Sequence, residues 1–181
     1  MQNAAILVID VQQGAFDGVM CPPIDRASAL LAVCNCVLSV ARSNLVPVIF
    51  VQHCAEPGGV LVQGTPQHAV AEALYSQDGE IRVLKQASSA FENTTLQATL
   101  KQLKANQLVI CGLQSEQCVF NTTVAALDLG YAVTLAEDGH HTWSTETESA
   151  TAISSRINVA LSAKGAVLRT VDEIVRIMNG D

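Results

Sequence analysis

Charge is scarce in this chain. Of its 181 residues only 15% are charged, against 49% hydrophobic, and that balance rules out intrinsic disorder. Clustered cations are missing too: Lys and Arg number 10 and Asp and Glu 17, for a formal net charge of −7. Nucleic acid and anionic membrane are therefore not expected partners, because phosphate binding needs grouped positive charge. No apolar run approaches the roughly 18 residues of a membrane helix. The N-terminal stretch MQNAAILVIDVQQ has no basic lead, and Asp10 interrupts its apolar run. It does not read as a secretory signal, so the expected compartment is the cytoplasm. Linkers, low-complexity segments and fixed-period repeats are also missing, and residues 1–181 read as one domain.

The six cysteines, Cys21, Cys34, Cys36, Cys54, Cys111 and Cys118, contain no C-x-x-C pair. Cys34 and Cys36 form a C-x-C with no second pair to complete four metal ligands. A reducing compartment and a core of this size leave no need for disulfides. Most of the six read as small buried apolar residues.

Apolar runs and amphipathic stretches alternate along the chain. AAILVIDV (4–11), VPVIFVQH (46–53), EIRVLK (80–85), QLVICG (107–112), YAVTLAED (131–138) and AVLR (166–169) read as strands. Helices are expected at 25–43 with Asp25 as N-cap, at 68–75, at 93–105 capped by Asn93 or Thr94, at 116–130, at 145–165 with an acidic first turn, and over VDEIVRIMN at the end. Six strands alternating with helices call for a three-layer α/β/α fold, Rossmann-like, with a mainly parallel six-stranded sheet. Ligands of such folds sit beyond the C-terminal ends of the strands. Asp10, His53, Lys85, the 112–118 turn and Asp138 occupy those ends.

Asp10 lies in an apolar run and must be paired or shifted in pKa. Lys85 faces the same demand. Cys118 falls one turn into a helix that follows a strand and a tight turn, where the helix N-terminus and a nearby ammonium lower a thiol pKa. Alkylation of such a thiolate would level off below about pH 8.5. Together the three supply a nucleophile, a proton carrier and a cation. An Asp–Lys ion pair beside a core cysteine would satisfy the same demands without chemistry.

The stretches LVIDVQQGAF, VLKQASSAFENTTL, LVICGLQSEQCVFNTTVAALDLGY and VTLAEDGHHT, in this order and spread over nearly the whole chain, resemble the isochorismatase-like cysteine hydrolases. The resemblance implies a triad of Asp10, Lys85 and Cys118, in which the thiol attacks a carbonyl, Asp10 relays the proton, Lys85 holds the charges and water releases a thioester. It also implies a cis peptide between Leu113 and Gln114, with the amides of Gln114 and Cys118 forming an oxyanion hole. Phe16 and Phe91 match the family's apolar pocket positions, and Gln12 and His53 are further pocket candidates. Each has a structural reading beside the functional one.

Departures from the family pattern narrow the expectation. Nicotinamidases of this superfamily carry Asp-x-His and a later His around a metal. Here the stretch is Val51-Gln52-His53, with His68 as a distant partner in an expected helix, so neither metal nor organic cofactor is expected. Isochorismatases that cleave a vinyl ether by acid catalysis lack the cysteine that this chain has. The expected activity is hydrolysis of a C–N bond in a small amide, carbamoyl or ureide substrate, in a homodimer or larger assembly. A thiol redox or stress protein sensing through Cys118, or a binding domain with a fossil site, are the alternatives. Ser115 and Glu116 are expected to cap the helix before Cys118. His140, His141 and Trp143 are expected in a loop, at the pocket rim or simply on the surface, and residues 54–66 read as a candidate lid or an ordinary long connection.

Overall fold

The computed structural model describes residues 3–180. Its six parallel strands are β1 (Ala4–Ile9), β2 (Val48–His53), β3 (Ile81–Lys85), β4 (Gln107–Leu113), β5 (Ala132–His141) and β6 (Val167–Arg169), in the spatial order β3-β2-β1-β4-β5-β6. The helices are α1 (Ala27–Ser43), α2 (Leu96–Gln102), α3 (Phe120–Asp128), α4 (Ala150–Ala163) and α5 (Val171–Asn179).

Strand side chains alternate between two apolar layers. Ile6 and Val8 of β1 join Val48, Phe50 and Val109 against α1 and α5. Leu7 and Ile9 join Ile49, Val51 and Ile110 against α2, α3 and α4. Because both faces of β1 are covered, its whole run AAILVI is buried, which is why it reads as an uninterrupted apolar stretch. No helix among the described residues is long and apolar enough to cross a membrane.

Several expected boundaries move, each for a local reason. Arg26, in a left-handed conformation, holds the N-cap position of α1, while Asp25 accepts a hydrogen bond from the Ser144 hydroxyl. The expected helix at 68–75 is two 3₁₀ turns, Pro66–His68 and Glu72–Leu74. Between them Ala71 donates to Val11 O and Val70 bridges to Gln12, so tertiary pairing overrides helix propensity. α2 starts at Leu96 because the Thr94 hydroxyl turns back to Ala90 O and accepts from Leu96 N, the local bonding that competes with a helix. α4 starts at Ala150 with Ser149 as its cap, and no acidic residue lies in its first turn. β5 runs on to His141 through a slip in register: Ile110 pairs with Leu135, but Gly112 pairs with His140. His140 and His141 are therefore strand residues.

The reversal of strand order lies between β1 and β4, the crevice where such sheets bind ligands. There Gly112 stands opposite Ile9 with φ +126°, and a Cβ on it would meet Ile9 O at 2.0 Å. Only glycine fits at that point.

Candidate active site

Three strand ends bring the charged groups together. Asp10 directly follows β1 in the left-handed region, φ 51°, which Asp tolerates better than most residues. Lys85 closes β3, two strands away. Its ammonium has three donors and three partners: Asp10 Oδ2 at 2.8 Å, Cys118 Sγ at 3.1 Å and Ala87 O at 3.2 Å. The Lys85 side chain is fully buried and that of Asp10 nearly so. Among the described residues the second carboxylate oxygen, Asp10 Oδ1, is buried with no partner at ordinary hydrogen-bond geometry, while the Asp10 carboxyl and the Cys118 thiol lie close enough to interact. Cys118 is carried by a single π turn, Ser115–Val119, between β4 and α3, a local widening that occurs often at functional sites. Gln114 O anchors that turn by accepting from both Gln117 N and Val119 N, and the Leu113–Gln114 peptide is cis.

Electrostatics reverse one expectation. Burial, then the Asp10 charge, push the Cys118 thiol up to about 11, with Lys85 opposing. Burial raises the Asp10 carboxyl as well, against the pull of Lys85. Burial thus works against the thiolate expected from a helix N-terminus, and one cation opposes it only in part. Burial and the Lys85 charge lower the pKa of His53, and its Nδ1 is buried without a partner.

A cavity of about 280 Å³ opens on the sulfur. Asp10, His53, Leu113, Gln114, Gln117 and Cys118 line it together with Ala15, Leu61, Ser88 and Trp143. Of the four pocket candidates only His53 lines it. Gln12 is fully buried and spends its amide on the backbone: Nε2 donates to His53 O and His68 O, and Oε1 accepts from His53 N. Phe16 packs against the core layer under α1. Phe91 belongs to the opposite layer and stacks on Tyr131 at 5.8 Å. Trp143 does reach the cavity, its indole N–H donating to Pro22 O. Leu61 comes from the 54–66 segment, which Ala55 N closes on Leu61 O. No pattern in the sequence marks Ala15, Leu61, Ser88 or Gln117, because loop packing alone brings them in.

Ser115 and Glu116 do not cap the turn, which has no side-chain cap bond. Thr142 donates to Glu116 Oε1. Ser115 Oγ bonds Ser154 Oγ at 2.9 Å and His140 Nδ1 at 2.8 Å, and His140 Nε2 bonds Asn158 Oδ1 at 2.8 Å. One polarity satisfies the chain. Asn158 Nδ2 donates to Glu137 O, so Asn158 Oδ1 accepts from His140 Nε2–H. His140, pushed down to about 4 by burial, is neutral and accepts from Ser115, which accepts from Ser154. The start of the cysteine turn is thereby pinned to β5 and α4.

Cys54 Sγ lies 3.3 Å from His68 Nε2. Among the described residues no group of three or more His, Cys, Asp or Glu side chains is placed to hold a metal ion.

The isochorismatase domain matches residues 4–173. The chain belongs to the isochorismatase family. It is similar to a streptothricin hydrolase from Streptomyces noursei, 31% identical over 170 residues, with 94% of this chain and 60% of that protein covered. It is thus shorter than that relative by a substantial margin. A ureidoacrylate amidohydrolase from Agrobacterium fabrum is 26% identical over 173 residues, covering 77% of this chain and 76% of its own. A cysteine hydrolase from Pseudomonas syringae shares the fold, with a TM-score of 0.92, 20% identity, and coverage of 98% of this chain and 93% of that one.

Proposed function

We propose that this isochorismatase-family chain is a cysteine hydrolase that cleaves the C–N bond of a small amide-type substrate. The observation that carries the reading is the Lys85 ammonium set between Asp10 Oδ2 and Cys118 Sγ, with Asp10 and Cys118 both lining the cavity. The substrate names of the streptothricin hydrolase and ureidoacrylate amidohydrolase relatives support the amide class.

The chemistry follows from a neutral thiol beside a free carboxylate oxygen. As Cys118 Sγ bonds to the carbonyl carbon, its proton passes to Asp10 Oδ1, the oxygen with no other partner. Lys85 stays charged and holds Asp10 through Oδ2. In this reading the amides of Gln114 and Cys118 stabilise the oxygen that becomes negative. Collapse of the tetrahedral intermediate breaks the C–N bond, and the Asp10 proton leaves on the amine. Water, deprotonated by Asp10, then attacks the thioester, and the acid product departs as the sulfur regains its proton.

The test is acylation. Incubation with an activated ester should add one acyl mass to Cys118, and Cys118→Ala should lose both the adduct and amide turnover. Turnover retained by Cys118→Ala would refute the assignment.

A further inference from the structure

A second cavity, about 350 Å³, adjoins the first. The two share Ala15, Leu61, Gln114 and Trp143, so they lie side by side along a common wall. Gly14, Cys21, Pro22 and Val60 line only the outer part. Gly14 is what lets the 54–66 loop close here: a Cβ on it would meet Val60 Cγ1 at 2.7 Å.

The outer wall offers almost no polar group. The Cys21 thiol donates to Gly14 O, and burial followed by the Asp17 charge raises its pKa, so it stays neutral. The Trp143 indole N–H is spent on Pro22 O. Gln114 is the one polar side chain on this wall, and none is charged. The nearby Asp17 carboxylate is occupied by Val19 N and Gln67 Nε2. A carboxylate or ammonium placed here would lose its water and gain no counter-charge.

We infer that the cleft selects amides with an uncharged apolar tail, the carbonyl lying at Cys118 and the tail running past Trp143 into the outer cavity. This rests on the reading of the triad as an amide site and narrows it. Combined cavities of this size suit a tail of several carbons. Each methylene buried there should tighten binding about fourfold.

The chain has one tryptophan, so its fluorescence reports this cleft alone. Titrating the Cys118→Ala protein with propionamide, butyramide, pentanamide and hexanamide should shift Trp143 emission, with Kd falling about fourfold per carbon. Hexanamides carrying a carboxylate or an ammonium at the far end of the tail (adipic acid monoamide and 6-aminohexanamide) should bind about tenfold or more weakly than hexanamide. Val60→Asp should abolish the chain-length dependence, and the milder Val60→Ala should flatten it at the longest member. A flat series, or a charged ligand binding as well as hexanamide, overturns the inference. Ammonia release by the unmodified protein separates the two readings. Release without chain-length preference in binding removes the apolar-tail reading and keeps the hydrolase. Chain-length-dependent binding without release from any of the amides does the reverse.

Discussion

Lys85→Met would leave a carboxylate stranded in the core. The ammonium stands 2.8 Å from Asp10 Oδ2, with its side chain wholly out of solvent. At an effective dielectric of about 20 the attraction across that distance is ~6 kcal/mol. Desolvation of the pair offsets part of it, and breaking a buried pair by removing one partner costs about 3–5 kcal/mol. The loss should depend on pH. Asp10 already has a carboxyl pKa above its ordinary value, because burial outweighs Lys85. Without Lys85 the folded pKa rises further above the unfolded value of about 3.9. A carboxyl raised in the folded state penalises folding once pH exceeds the unfolded pKa, and the penalty grows until the folded pKa is passed. The variant should therefore lose the most stability near pH 8 and recover part of it near pH 5 (both about), measured by urea denaturation. The double variant Lys85→Met/Asp10→Asn removes the stranded charge and should regain most of the loss. Equal destabilisation at both pH values, or a double variant as unstable as the sum of the singles, would refute the pairing.

Two other outcomes follow from the same site. With the Cys118 thiol raised to about 11, its alkylation by iodoacetamide, followed on the Cys118 peptide by mass spectrometry, should rise about tenfold per pH unit from about pH 7 to about pH 9; a plateau below about 8.5 would mean a thiolate at rest. Ser115→Ala should cost about 1–3 kcal/mol in chemical denaturation, because it strips a buried partner from both His140 and Ser154.

The sheet was legible because its strands are buried on both faces. AAILVI, VIFVQH and QLVICGL show as runs with turns on either side, and the residues closing or following those runs are the ones at the cavity. Asp10, Lys85 and Cys118 stood out since charge or thiol at an apolar strand end has few satisfactory environments. Lining residues had no such signature. Phe16 and Phe91 belong to opposite core layers, and one residue of shift along a backbone decides between cavity and core. Gln12, one alternation beyond Asp10, suits a pocket role and a loop-fixing role equally by position, and its amide is consumed by His53 and His68. The upward push on the Cys118 thiol has no signature in the sequence for a different reason. A sequence shows a nearby lysine and a helix start, but not the depth of burial that raises the pKa.

Strand order explains why the cation has to be a lysine. Lys85 closes β3, and β2 stands between it and β1. Two strand spacings amount to about 10 Å, so the group that reaches Asp10 and Cys118 needs a long stem. His53, the register partner of Lys85 on the intervening strand, lines the cavity itself without reaching across. At the far end three acceptors of different kinds, a carboxylate oxygen, a sulfur and a backbone carbonyl, surround one nitrogen. An ammonium with three rotatable donors matches that arrangement, whereas a planar guanidinium presents its donors as a fork. The parallel order of the sheet thus dictates the length of this side chain, and the convergence of three unlike acceptors dictates its chemistry.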